Sequence, residues 1–132
     1  LWTRLMKDTM SIKTFFCDTY ALVEIIKGNK NYSRYTDFIL VTSELNLMEL
    51  YYSLLRDFGK SMADKYFAEW EDSAVILPKS MIMAAMELKY LHKKEKLSYI
   101  DCMGYMYAMA NEVLFLTGDI KFENKIAVEF VK

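Results

Sequence analysis

Residues 97–122 read LSYIDCMGYMYAMANEVLFLTGDIKF, and the way this stretch divides decides the fold. Ser98 and Asp101 stand three apart, the S-x-x-D spacing that opens a helix. Beyond them Ile100, Met103, Gly104, Tyr107 and Ala108 recur at i, i+3, i+4, i+7 and i+8, which is one face of that helix. A short apolar run, Val113 to Leu116, then reads as a strand, and Thr117-Gly118-Asp119 as the turn that ends it. The unit is a helix followed by a strand with a carboxylate at each end. Asp101 stands in the helix's first turn and Asp119 just past the strand.

The chain before and after this unit repeats the alternation. Ile12 to Cys17 (IKTFFC) reads as a buried strand feeding a helix over Tyr20 to Lys27, which stops at Gly28. The polar stretch Asn29 to Asp37 reads as a loop or a short helix, and Phe38 to Val41 as a second strand. Thr42 and Ser43 cap a periodic helix, Glu44 to Asp57, closed by Gly59. Lys60 to Trp70 follows as another helix with Met62, Tyr66, Phe67 and Trp70 as its apolar stripe. Ala74 to Leu77 (AVIL) reads as a third strand, and Pro78 suits the first position of the helix that runs to about His92. Ile126 to Val131 is the last strand. Strands alternating with helices predict an α/β protein, a three-layer α/β/α sandwich around a central, mostly parallel sheet. Ligands of such sheets bind outside the carboxyl ends of the strands. Asp18 and Asp119 each follow a strand directly, so they belong to the same edge.

A chain of 132 residues with 54% hydrophobic and 27% charged residues fits one globular domain with a single sizeable core. A net charge of −1 advertises no global basic field for nucleic acid, so any such surface has to be local. Two distant cysteines, Cys17 and Cys102, suit a reducing, cytoplasmic setting, and each reads as a buried core thiol. No run reaches the length of a membrane span. The opening LWTRLMKDT carries no clear pattern; residues 1–9 read as an N-terminal extension or cloning remnant, with Met10 as a natural start.

Each acid has an ordinary reading beside a functional one. Asp18 caps the first helix, Asp101 completes a capping box with Ser98, and Asp119 serves a turn after Gly118. Glu49 is harder to dismiss, since it shares a helix face with Leu45, Met48 and Tyr52, read as a core-facing stripe. A carboxylate there is costly unless it is paired or bound to metal. Arg56 is its candidate partner, with Asp57 competing. Four carboxylates without histidine or thiolate ligands suit a hard cation such as Mg²⁺ or Mn²⁺ and water attack on a phosphodiester. His92, in the basic cluster LHKKEK, reads as surface, and that cluster as a solvated helix end rather than a track for phosphates.

Four stretches, in this order, resemble the PIN domain family, the nuclease fold of VapC-type toxins and RNA-processing enzymes. They are FFCDTYAL with Asp18, LNLMELYYSLLR with Glu49, LSYIDCMGYMYA with Asp101, and FLTGDIKF with Asp119. The resemblance implies a nuclease domain over residues 10–132 that hydrolyses RNA and leaves a 5′-phosphate and a 3′-hydroxyl. It implies Asp18, Glu49, Asp101 and Asp119 as ligands of Mg²⁺ or Mn²⁺, with Thr19 and Thr117 supporting them. It further implies a homodimer and a small antitoxin partner, and the short chain favours the toxin of a VapBC-type pair. The pattern departs at Lys121, where many members carry a further acid. A second metal site is left open there, and Lys121, like Arg56, becomes a candidate phosphate contact. Two alternatives stand beside the toxin: a PIN-like module that grips RNA or protein without cutting, and an RNA-processing nuclease outside any toxin–antitoxin pair. A phosphatase or phospho-acceptor domain would need a second aspartate two residues after Asp18, where Tyr20 stands.

Overall fold

Side chains alternate sides along a strand, and β1 (Thr14–Cys17) uses both of its sides for core. Phe15 and Cys17 pack into one apolar cluster and Phe16 into another. The computed structural model, which describes residues 13–132, continues this division through the whole sheet. The strands are β1, β2 (Ile39–Ser43), β3 (Ala74–Val75), β4 (Leu114–Thr117) and β5 (Val128–Phe130). They lie in the order β3-β2-β1-β4-β5, and every neighbouring pair is parallel. The expected class and the sandwich layering are therefore what the molecule has. Ile12, the predicted start of the first strand, and residues 1–9 with Met10 lie outside the described residues.

Helices α1 (Thr19–Lys27), α2 (Glu44–Phe58) and α3 (Lys60–Trp70) cover one face of the sheet through Ala21, Leu22, Leu47, Leu50, Leu54 and Ala63. Helices α4 (Ser80–Leu91) and α5 (Tyr99–Ala110) cover the other through Ala85, Cys102, Met103, Tyr105 and Ala108. The α5 face lies close to the sheet. A Cβ on Gly104 would stand 2.6 Å from Cε1 of Phe16 and 3.3 Å from Cε1 of Phe115, so only glycine lets the helix sit there. Phe115 packs in turn with Tyr105 and Phe122, their ring centroids 4.9–5.6 Å apart. Each such fully buried ring contributes roughly 1.5–3 kcal/mol.

Two expectations around β3 need correction. The AVIL strand is only two residues long, because β2 ends at Ser43, opposite Val75, where the chain turns into α2. Ile76 has no partner left and is 88% exposed. Pro78 stands before α4 rather than at its first position, its carbonyl accepting from the Met81 amide at 3.0 Å. The stretch Asn29 to Asp37 takes the second of its two readings, a short helix, here a 3₁₀ segment over Lys30–Asp37 in which Tyr32 and Tyr35 are buried. Their i, i+3 spacing was the available signal. The Tyr32 hydroxyl donates to the Val131 carbonyl at 2.5 Å and that of Tyr35 to Glu129 at 2.7 Å, tying this segment to the far end of the chain.

The strand order places the site. From β1 the chain winds outward through β2 to β3, then crosses to β4 on β1's other side and continues to β5. The connections leaving the carboxyl ends of β1 and β4 therefore diverge, and ligands of such sheets bind at that switch point. Asp18 follows β1 and Asp119 lies just past β4.

Candidate active site

Asp18 is the deepest of the acids, 2% exposed. One of its oxygens does the work expected of a cap, as Oδ1 accepts from the Ala21 amide at 2.8 Å. Its Oδ2 accepts from the Thr117 hydroxyl at the end of β4. The Thr117 oxygen in turn accepts from the Asp119 amide at 3.0 Å, and Asp119 Oδ1 accepts from the Lys121 amide at 3.0 Å. One hydroxyl thus fixes the acids that follow two different strands. The turn between Thr117 and Asp119 leaves room for nothing larger than glycine. A Cβ on Gly118 would stand 2.2 Å from Cε1 of Tyr20 and 2.4 Å from the Val131 carbonyl oxygen.

Glu49 reaches the same edge from α2. Its Oε1 accepts from the Thr19 hydroxyl at 2.6 Å. The reading of its stripe as core-facing is wrong: Met48 is 59% and Tyr52 67% exposed, and the core face of α2 is made by Leu47, Leu50 and Leu54. Glu49 therefore needs no arginine to rescue it from an apolar core. Arg56 goes to Asp57 instead, at 2.9 and 3.1 Å. Asp101, in the first turn of α5, is half-buried, and its amide donates to Ser98 Oγ at 3.0 Å, as the helix-start spacing predicts.

The acids sense one another electrostatically. Burial pushes the Asp18 carboxyl up to about 7, against the hydrogen bonds from Thr117 and Ala21, and the charges of Asp101 and Asp119 add to the rise. Burial also raises Asp101; hydrogen bonding to Ser98 opposes it, while the charges of Asp119 and Glu49 reinforce it. Among the described residues, however, no three His, Cys, Asp or Glu side chains stand as a ready ligand group for a metal ion. The acids are coupled by charge without closing into a cage.

The remaining candidates fall at the periphery. Lys121 is exposed and its ammonium donates to the Lys96 carbonyl at 3.2 Å. His92 is half-exposed and paired with Glu95 at 2.6 Å. Both cysteines are free and buried, and burial raises both thiols, so neither is a reactive group. Sequence reasoning missed Asn46, which is 1% exposed and whose amide nitrogen donates to Thr19 Oγ1 at 3.2 Å. Its position three residues after the N-cap Ser43 is the one local signal it carries.

A PIN domain model matches residues 15–127. The chain belongs to the PIN domain family. Three solved structures show the same PIN fold. The Mycobacterium tuberculosis toxin VapC20, described as cleaving the sarcin–ricin loop, superposes with a TM-score of 0.70 at 16% identity, covering 86% of this chain and 98% of that one. VapBC2 from Rickettsia felis, bound to a DNA fragment from its promoter, gives 0.69 at 18% identity over 90% and 99%. A toxin–antitoxin complex from Klebsiella pneumoniae gives 0.67 at 13% identity over 86% and 94%. No curated protein matches this PIN chain by sequence. No helix among the described residues is long and apolar enough to cross a membrane.

Proposed function

We propose that this PIN protein is a divalent-metal-dependent endoribonuclease and the toxin of a VapBC-type pair. The observation that carries the reading is the geometry at the diverging edge of β1 and β4, where the Thr117 hydroxyl ties Asp18 to Asp119 and the Thr19 hydroxyl holds Glu49, with Asp101 near enough that its charge raises the Asp18 carboxyl. Among the described residues none of the four acids is in an ion pair with a lysine or arginine, and crowded carboxylates are stabilised by a cation. The donor set is all oxygen, which fits Mg²⁺ or Mn²⁺. Mg²⁺ commonly keeps several waters and takes only one or two carboxylates together with substrate phosphate. Acids that are coupled but not caged suit that habit. Asp18, Glu49, Asp101 and Asp119 would hold the ion, which when bound lowers the pKa of a water and stabilises charge on the phosphate.

The protein's own groups do the positioning. Thr117 keeps Asp18 and Asp119 in register, since its single proton goes to one and its lone pair receives the amide of the other. Thr19 holds Glu49 by the same kind of bond. Lys121 and Arg56, both exposed, are the phosphate contacts of this reading. The structural neighbours support a small antitoxin as partner, because two of them are toxin–antitoxin assemblies. A homodimer in the cytoplasm completes the reading.

A second reading, a PIN module that grips RNA without cutting, draws on the same absence of a closed three-ligand group among the described residues. Cleavage separates the two, and the product ends report its chemistry. Attack of water at phosphorus with departure of the 3′-oxygen leaves 5′-phosphate and 3′-hydroxyl ends, readable by ligation or by labelling. Ends carrying a 2′,3′-cyclic phosphate would contradict the proposal, and RNA retained intact would favour the binding module.

A further inference from the structure

We infer that Asn46 is a positioning residue for Glu49, acting through the hydroxyl of Thr19. The inference rests on the nuclease reading above and adds to it a residue outside the four acids. The argument is one of proton direction. Ser43 Oγ accepts the Asn46 amide proton at 3.3 Å, capping α2, and donates its own proton to Asn46 Oδ1 at 2.6 Å. The carboxamide oxygen is thereby committed, so its nitrogen faces Thr19 and donates to Oγ1 at 3.2 Å. A hydroxyl has one proton, and an amide nitrogen cannot accept it. The Thr19 proton is left to Glu49 Oε1, 2.6 Å away. The relay Ser43–Asn46–Thr19–Glu49 thus runs in one direction only, and its end is the carboxylate.

The Ser43–Asn46 half of the relay is buried. Ser43 and Asn46 are each 1% exposed, and Asn46 shares its helix with the core residues Leu47, Leu50 and Leu54. A carboxamide in such a place costs free energy unless every polar atom is paired. Among the described residues no buried side-chain nitrogen or oxygen lacks a partner. Leucine would serve helix packing at this position without that demand; an amide serves the direction of the Thr19 hydroxyl.

The test is a double-mutant cycle read by Mn²⁺ affinity, using electron paramagnetic resonance of the full chain, with RNA cleavage measured alongside. Asn46→Asp is isosteric but carries no proton at either oxygen, so it takes the Thr19 proton away from Glu49. Asn46→Ala removes the amide without adding charge, and Ser43 Oγ still caps the backbone amide of that residue, so it folds even where Asn46→Asp does not. Both weaken Mn²⁺ binding; loss of an outer hydrogen bond to a ligand costs about 10–100-fold, with Asn46→Asp at the higher end. In a Thr19→Val background neither substitution has any further effect, whereas Thr19→Ser retains the sensitivity. Equal losses in both backgrounds would overturn the inference, since Asn46 would then act through packing alone. A parent that binds Mn²⁺ and cuts RNA, with Asn46 variants that match it, would sink the inference and leave the nuclease reading standing. A parent that neither binds Mn²⁺ nor cuts would sink both.

Discussion

Thr117 donates its hydroxyl proton to Oδ2 of Asp18, a residue 99 positions earlier in the chain. β1 and β4 are neighbours in the sheet, with Cys17 opposite Leu116, so the residues that follow them emerge side by side. Thr117→Val keeps the shape and removes the bond. It strands a buried carboxylate oxygen and the amide of Asp119, at a cost of about 1–3 kcal/mol for an unsatisfied buried group. Urea denaturation of the two proteins checks this.

The pH dependence of the metal-free protein follows from Asp18. Its carboxyl titrates near 3.8 when unfolded and about 7 when folded, so the folded state binds more protons between these values. The stabilisation is complete below the unfolded value and is lost as pH rises through the folded one. Asp101 is shifted in the same direction. Thermal melts in chelator therefore drop as pH climbs from about 4 to 7, and Asp18→Asn flattens the drop. A melting temperature that rises over this window would contradict the burial argument.

Gly104→Ala tests the link between core and site. Alanine is worth up to about 1 kcal/mol more than glycine inside a helix. Here its Cβ meets the Phe16 ring at 2.6 Å, and overpacking costs about 1–3 kcal/mol. The expected net effect is a destabilised protein. Asp101 sits one turn away on the same helix, so cleavage falls as well. A more stable variant with full activity would show that α5 stands farther from the sheet.

Lys121 and Arg56 are separable from the fold. Arg56 pairs with Asp57 at the surface, and such pairs are worth about 0–1 kcal/mol. Lys121→Ala and Arg56→Ala leave the melting temperature nearly unchanged. If each meets a phosphate, each weakens RNA binding and lowers the salt slope by about one. Binding isotherms at several salt concentrations decide it.

The fold was legible because its signals are local. Short apolar runs such as IKTFFC and VLFL, each followed by polar residues, locate parallel strands, and the acids beyond them share an edge by topology alone. Less legible was anything set by a neighbour. AVIL has the composition of a longer strand, but its length is decided by where β2 stops. Met48 and Tyr52 have the periodicity of a buried face and lie on an open one, since the side of α2 that packs is chosen by the sheet. Asn46 shows the same limit most sharply. Its partner is Thr19, 27 residues earlier, and no spacing rule within α2 points there.

The central claim is that the coupled acids at the β1–β4 edge bind a divalent ion and cut RNA. The most direct measurement incubates the protein and its Asp101→Asn variant with single-stranded and structured RNA in Mn²⁺, Mg²⁺ or EDTA. Cleavage by the parent that is abolished both by EDTA and by the substitution is the predicted result, with the variant folded and more stable than the parent in chelator. Cleavage that survives EDTA, or that Asp101→Asn leaves intact, would contradict it.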